Sequence, residues 1–111
     1  MVPPAPGERV AVLTCMDARI DPLALLGLEL GDAHVLRNAG AIVTEDVLRS
    51  LEASRRIGSE RVVVIGHTDC GLGPGETERV REAVQELRSS IPGDVEGYVL
   101  DVDAGELREV T

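Results

Sequence analysis

Two cysteines and a histidine stand where short apolar runs give way to loops. Cys15 follows Val10-Ala11-Val12-Leu13-Thr14, and His67 follows Val62-Val63-Val64-Ile65-Gly66, with Cys70 three residues further on. Taken singly, each has a plain structural reading. A cysteine beside a Val-rich run is a small packed hydrophobe, a histidine at a strand end is a core or capping residue, and Asp17 with Arg19 is a loop ion pair. Taken together they say more. Two parallel strands lying side by side would carry Cys15, His67 and Cys70 to one rim of a sheet. Two thiols and an imidazole meeting there make a zinc site with three protein ligands and one open position.

The elements that must present these residues are legible in order. Arg9 to Thr14 and Arg61 to Gly66 are apolar without alternation, as expected for strands covered on both faces. Asp21-Pro22 is a helix start, with Asp as N-cap and Pro at the first helical position, and the helix is expected to run through Leu30 until Gly31-Asp32 turns it off. Ala33 to Arg37 is a short strand closed by Asn38-Ala39-Gly40. Thr44 caps a helix with Glu45 and Asp46 in its first turn, and Gly58 ends it. Val80, Ala83, Val84, Leu87 and Ile91 recur at helical spacing in a helix from about Glu76 to Ser90. Val95 to Val102 and Leu107 to Val110, around Asp103-Ala104-Gly105, predict a strand and an antiparallel return. The fold class is therefore α/β: a mostly parallel β-sheet flanked by helices, with an antiparallel C-terminal edge strand. Right-handed crossovers place helices on both faces, and in such sheets the loops at the carboxyl ends of strands carry function. Both candidate loops lie there.

Composition narrows the classes. The chain has 111 residues, 43% of them apolar, which is one domain with enough material for a core. Residues 1–8 read as an extended arm rich in proline, and residues 9–111 as a single domain. Phe and Trp are absent and Tyr98 is the sole aromatic, so the core must be aliphatic. Eleven basic residues, all arginine, against twenty acidic ones give a net charge of −9, which disfavours nucleic acid and anionic membranes as partners. No run approaches the ~20 apolar residues of a membrane span, and the N-terminal residues do not resemble a signal peptide. With two cysteines and no export signal, reduced thiols in a cytoplasmic protein are expected. The Cys15 to Arg19 spacing is too short for a cysteine phosphatase loop, and the cysteines do not form C-x-x-C.

Cys15-Met16-Asp17-Ala18-Arg19 and His67-Thr68-Asp69-Cys70-Gly71 resemble the paired C-x-D-x-R and H-x-x-C signatures of the β-class carbonic anhydrases. The likeness continues through Gly31-Asp32-Ala33-His34-Val35-Leu36-Arg37-Asn38-Ala39-Gly40, similar to that family's G-D-x-x-x-x-R-N-A-G segment, and covers about Arg9 to Gly71. The resemblance implies Zn2+ held by Cys15, His67 and Cys70, with water or hydroxide in the fourth position. It implies a catalytic dyad in which Arg19 holds Asp17, and Asp17 accepts a hydrogen bond from the hydroxide. In some members the aspartate itself takes the fourth position in a closed, inactive site, and Asp17 is the residue placed to do so. The implied reaction is the hydration of CO2 to bicarbonate and a proton, and the implied assembly is a homodimer or an oligomer built from dimers. Main-chain groups near Asn38, Ala39, Gly40 and Gly71 are expected to line a small apolar substrate pocket, where glycine permits close approach. Two thiolates cancel the formal charge of the metal, so its water should be a weaker acid than one held by three imidazoles, and activity should rise into the alkaline range. Asp69 reads as a loop or capping residue, and His34 as structural, with a proton-shuttling role as the alternative.

Three departures accompany the likeness. Few residues precede the first strand, the segment after Gly71 is short, and no Phe or Trp is available for the pocket. They set beside CO2 hydration the alternative of a zinc-binding relative with a structural or regulatory role, and the resemblance, whose family includes such relatives, adds that of a hydrolase of carbonyl sulfide or carbon disulfide.

Overall fold

The computed structural model describes residues 3–111; Met1 and Val2, the start of the expected arm, lie outside the described residues. The elements run β1 (Val10–Cys15), α1 (Pro22–Leu25), β2 (Ala33–Asn38), α2 (Glu45–Arg56), β3 (Arg61–His67), α3 (Glu76–Ser90), β4 (Asp94–Asp101) and β5 (Glu106–Glu109). They form one five-stranded sheet in the order β2-β1-β3-β4-β5. The pairs β1–β2, β1–β3 and β3–β4 are parallel, and β5 returns antiparallel on β4. The expected α/β architecture with its antiparallel edge is what the chain adopts.

The run at β1 is covered on both sides, so every one of its residues is buried. The pleat divides them. Ala11 and Leu13, with Val62 and Val64 of β3, face α2 and α3, where they meet Val47, Leu51, Val80, Ala83, Val84 and Leu87. Val10, Val12, Val63 and Ile65 face the other way, against Ile20, Leu100 and the partly buried Leu25, Leu26 and Leu28. No helix among the described residues is long and apolar enough to cross a membrane.

One element differs from its expected extent. The first helix starts as read, with the Asp21 carboxylate accepting from the Ala24 N–H and Pro22 in its first turn, but it stops at Leu25. Gly27 adopts φ +67, its N–H donates to the Ala24 carbonyl, and the Leu28 N–H donates to the Leu23 carbonyl. That is the paired C-terminal cap for which a left-handed glycine is suited. Gly27, rather than Gly31, ends the helix, because a capped single turn already brings Leu25, Leu26 and Leu28 onto the sheet.

Candidate metal centre

Parallel pairing of β1 with β3 runs in register from Val10↔Arg61 to Thr14↔Ile65, so the two strands end together. Cys15 is the last residue of β1 and His67 the last of β3; both are buried, and Cys70 sits half-buried in the turn that follows. One ligand atom from each of the three lies within 4.8 Å of the others. The structure thus brings together the three residues expected to bind metal.

The imidazole is oriented for that task. His67 Nδ1 lies 2.8 Å from the Thr68 carbonyl, which can only accept, so the proton sits on Nδ1. Nε2 is then a bare lone pair, buried, with no hydrogen-bond partner. A buried polar atom without a partner is costly, and a cation between it and two sulfurs would satisfy it. The donor set suits zinc, and among the described residues these three form the one cluster of this kind. Thr68 is in turn pinned to the end of β4, its N–H donating to the Leu100 carbonyl and its hydroxyl accepting from the Val102 N–H.

The segment after β2 sets the environment of the Cys15 sulfur. Burial pushes its thiol up, but the N–H groups of Gly40 and Asp17 pull it down, and the net shift is below the ordinary value. The Gly40 N–H reaches the sulfur at 3.3 Å. Gly40 has φ +88, and a Cβ there would stand 2.4 Å from Leu72 Cδ1. The positive φ favours glycine there, whereas the exposed tip of Leu72 is free to move aside.

Asp17 and Arg19 form the expected pair. The Arg19 main-chain N–H and Nε donate to Asp17 Oδ1 at 2.8 and 3.0 Å, and Nη2 donates to Oδ2 at 2.7 Å. These bonds hold the Asp17 carboxyl well below the usual carboxylate range and push the guanidinium further up. Asp17 Oδ2 is 3.9 Å from His67 Nε2, so an ionised carboxylate, already held by arginine, borders the ligand cluster.

An open cavity of about 200 Å3 adjoins the cluster, lined by Cys15, Met16, Asp17, Ala39, Gly40, Cys70, Gly71 and Leu72. Ala39, Gly40 and Gly71 therefore stand where the pocket was expected. Asn38 does not. Its amide is turned back on its own loop, Nδ2 donating to the Ile42 carbonyl at 2.8 Å and Oδ1 accepting from the Ile42 N–H at 2.9 Å. It closes the 38–42 turn that aims the Gly40 N–H at sulfur. A larger hollow of about 610 Å3 lies along α2 and the end of α3, with Glu45, Glu52 and Ser90 in its lining, and includes none of Cys15, His67 and Cys70.

Two residues emerge that sequence reasoning did not place in the site. Arg37 donates from Nε to the Cys15 carbonyl at 3.0 Å and from Nη2 to the Asp17 carbonyl at 2.8 Å, fastening the loop that carries both residues to β2. Its place beside Asn38 in the R-N-A-G segment was the available signal. Asp69 meets Arg19 from the opposite loop. His34 lies near the start of β2, where its Nδ1 and Nε2 are engaged by Ser54 Oγ at 2.6 Å and the Pro4 carbonyl at 2.7 Å. Its role there is structural.

Comparison with known proteins agrees with this geometry. Residues 10–92 match the family model described as carbonic anhydrase. The β-carbonic anhydrase 1 of Mycobacterium tuberculosis strain H37Rv is 36% identical over 141 aligned positions, covering 99% of this chain and 86% of the relative. Those positions outnumber the 111 residues of this chain, so the relative carries internal residues with no counterpart here. A carbon disulfide hydrolase of Acidithiobacillus thiooxidans is 37% identical over 104 positions, covering 90% of this chain and 50% of the relative. Among solved structures, the carbonic anhydrase of Streptococcus mutans superposes with a TM-score of 0.91 at 36% identity, covering all of this chain and 86% of that one.

Proposed function

The chain belongs to the β-class carbonic anhydrase family, and from that premise we propose that it is a zinc lyase hydrating CO2 to bicarbonate and a proton. The observation that carries the reading is the partnerless, buried Nε2 of His67 beside two cysteine sulfurs and a carboxylate already held by arginine. A purely structural zinc site needs neither that carboxylate nor that arginine. It also closes with a fourth Cys or His, and none lies in the cluster among the described residues.

Cys15 and Cys70 would hold zinc as thiolates, with His67 neutral through Nε2. Bound there, the metal supplies an acidified water as nucleophile. The chain's own groups do the rest. Asp17, ionised and held by three hydrogen bonds from Arg19, borders the cluster with Oδ2 3.9 Å from His67 Nε2 and would accept a hydrogen bond from a group bound there. Arg19 keeps Asp17 charged and directed away from direct ligation. Ala39, Gly40, Gly71, Met16 and Leu72 give the substrate side an apolar wall for a small, uncharged linear molecule. Two thiolate charges offset that of the metal, so activity should increase with pH into the alkaline range.

The test is stopped-flow CO2 hydration on protein of measured zinc content, with Asp17→Ala beside it. The expected result is one zinc per chain, turnover rising above neutral pH, and a tenfold or greater loss in the variant, the scale on which groups behind a metal site act. Stoichiometric zinc without hydration at alkaline pH would move the chain to the structural or regulatory alternative. Full activity in Asp17→Ala would remove the dyad role. The same wall suits carbon disulfide and carbonyl sulfide, and the likeness to a carbon disulfide hydrolase favours adding both to the assay. Free thiols at Cys15 and Cys70 suit a cytoplasmic setting. The outer edge of β2, with Val35 exposed, suits pairing with a second copy, so a homodimer is the proposed assembly, measurable by light scattering.

A further inference from the structure

The two loops that carry the ligands start from different strands, and little holds them to one another. Residues 15–19 bring Cys15 and residues 67–71 bring His67 and Cys70. Apart from the ligand side chains themselves, the hydrogen bonds that cross between the loops among the described residues are two, and both come from Arg19. Its Nη1 donates to Asp69 Oδ2 at 3.1 Å and its Nη2 to the Asp69 carbonyl at 3.0 Å. The same guanidinium holds Asp17 through Nε and Nη2. One planar fork thus grips a carboxylate on each loop, a task a point charge such as lysine cannot perform.

Asp69 is shaped for this role. It sits between the ligands His67 and Cys70 at φ +51, a left-handed conformation uncommon outside glycine and best tolerated by Asp and Asn. Its carboxylate is 81% exposed, and Arg19 is the one ion-pair partner it has among the described residues.

We propose that Asp69 is a positioning residue which, through Arg19, braces the two ligand-bearing loops against each other and so pre-organises the metal centre. The inference rests on the zinc reading above. Without the Asp69 carboxylate, Arg19 keeps Asp17 and one main-chain carbonyl, and the second loop is held to the first by less. The centre must then be assembled at the cost of ordering that loop, which appears as weaker zinc binding.

The experiment is zinc competition against a fluorescent chelator for wild type, Asp69→Asn, Asp69→Ala, Arg19→Ala and the double variant Arg19→Ala/Asp69→Ala, with circular dichroism as a fold control. Asparagine keeps the left-handed preference and isolates the charge. The pair is exposed, so Asp69→Asn should weaken binding by up to about five-fold at low salt, and the difference should shrink at about 0.5 M salt. In the Arg19→Ala background, Asp69→Ala should cost nothing further. Unchanged affinity in both Asp69 variants at low salt overturns the brace. An equal loss with and without Arg19 does so too, since Asp69 would then act through its own loop. A wild-type chain that takes up no zinc fells the site reading and this inference together, whereas wild-type binding with unaltered Asp69 variants fells the inference alone.

Discussion

Replacing Arg37 by Met tests how far the metal centre depends on a residue that touches none of the reacting groups. The substitution keeps much of the apolar stem and deletes two bonds, 3.0 Å to the Cys15 carbonyl and 2.8 Å to the Asp17 carbonyl. Hydrogen bonds from a charged donor contribute about 1.5–3 kcal/mol each where their acceptors stay unpaired on removal. Here the Asp17 carbonyl is exposed and water can replace the side chain there, so the bond to the part-buried Cys15 carbonyl carries the loss and the total should be about 1.5–3 kcal/mol. At about 1.4 kcal/mol per decade, zinc affinity should fall tenfold to a hundredfold, the range typical of groups that orient metal ligands. Lysine should not rescue it, because one ammonium cannot reproduce two donors fixed on a planar fork. Chelator competition measures the loss, and thermal melting of metal-free protein separates it from global unfolding. Zinc affinity in Arg37→Met within threefold of wild type would show that β2 does not hold the Cys15–Asp17 loop in place.

Two other outcomes follow from the packing and the charges. Tyr98 donates to Glu96 at 2.7 Å, and this bond to a carboxylate, followed by burial, pushes its phenol up to about 12. The folded state therefore binds the phenolic proton more tightly than the unfolded one; its contribution to stability is whole below pH about 10 and is lost as pH rises towards about 12. Urea melts between those limits should show a falling stability that Tyr98→Phe flattens, and an identical slope in the variant refutes the assignment. Leu87 of α3 is wholly buried where α3 covers the sheet over β3 and β4, so Leu87→Ala should cost about 2–5 kcal/mol in urea unfolding. A loss below 1 kcal/mol would mean that α3 does not seal that face.

The amino-acid sequence by itself determined the strands, the helix starts and the three residues that converge as candidate ligands. Those rest on local physics: an unbroken apolar run at Val10–Leu13 and a β-branched one at Val62–Ile65, a side-chain cap at Thr44, helical spacing from Val80 to Leu87, and cysteine and histidine at matching strand ends. The expected helix from Asp21 to Leu30 was overextended because two local signals competed, the apolar run against a glycine in its middle, and the left-handed cap at Gly27 prevailed. What only the tertiary structure decided is which side chain answers which. Arg19 meets Asp69 across 50 positions of chain, Arg37 reaches the Cys15 carbonyl across 22, and the Gly40 N–H finds the Cys15 sulfur across 25. Asn38, placed by sequence at the pocket, turned inward on Ile42 instead. The long-range bonds among these depend on the register of parallel strands, a property of the assembled sheet that no stretch of chain carries alone, whereas the Asn38 bonds are made within a local turn.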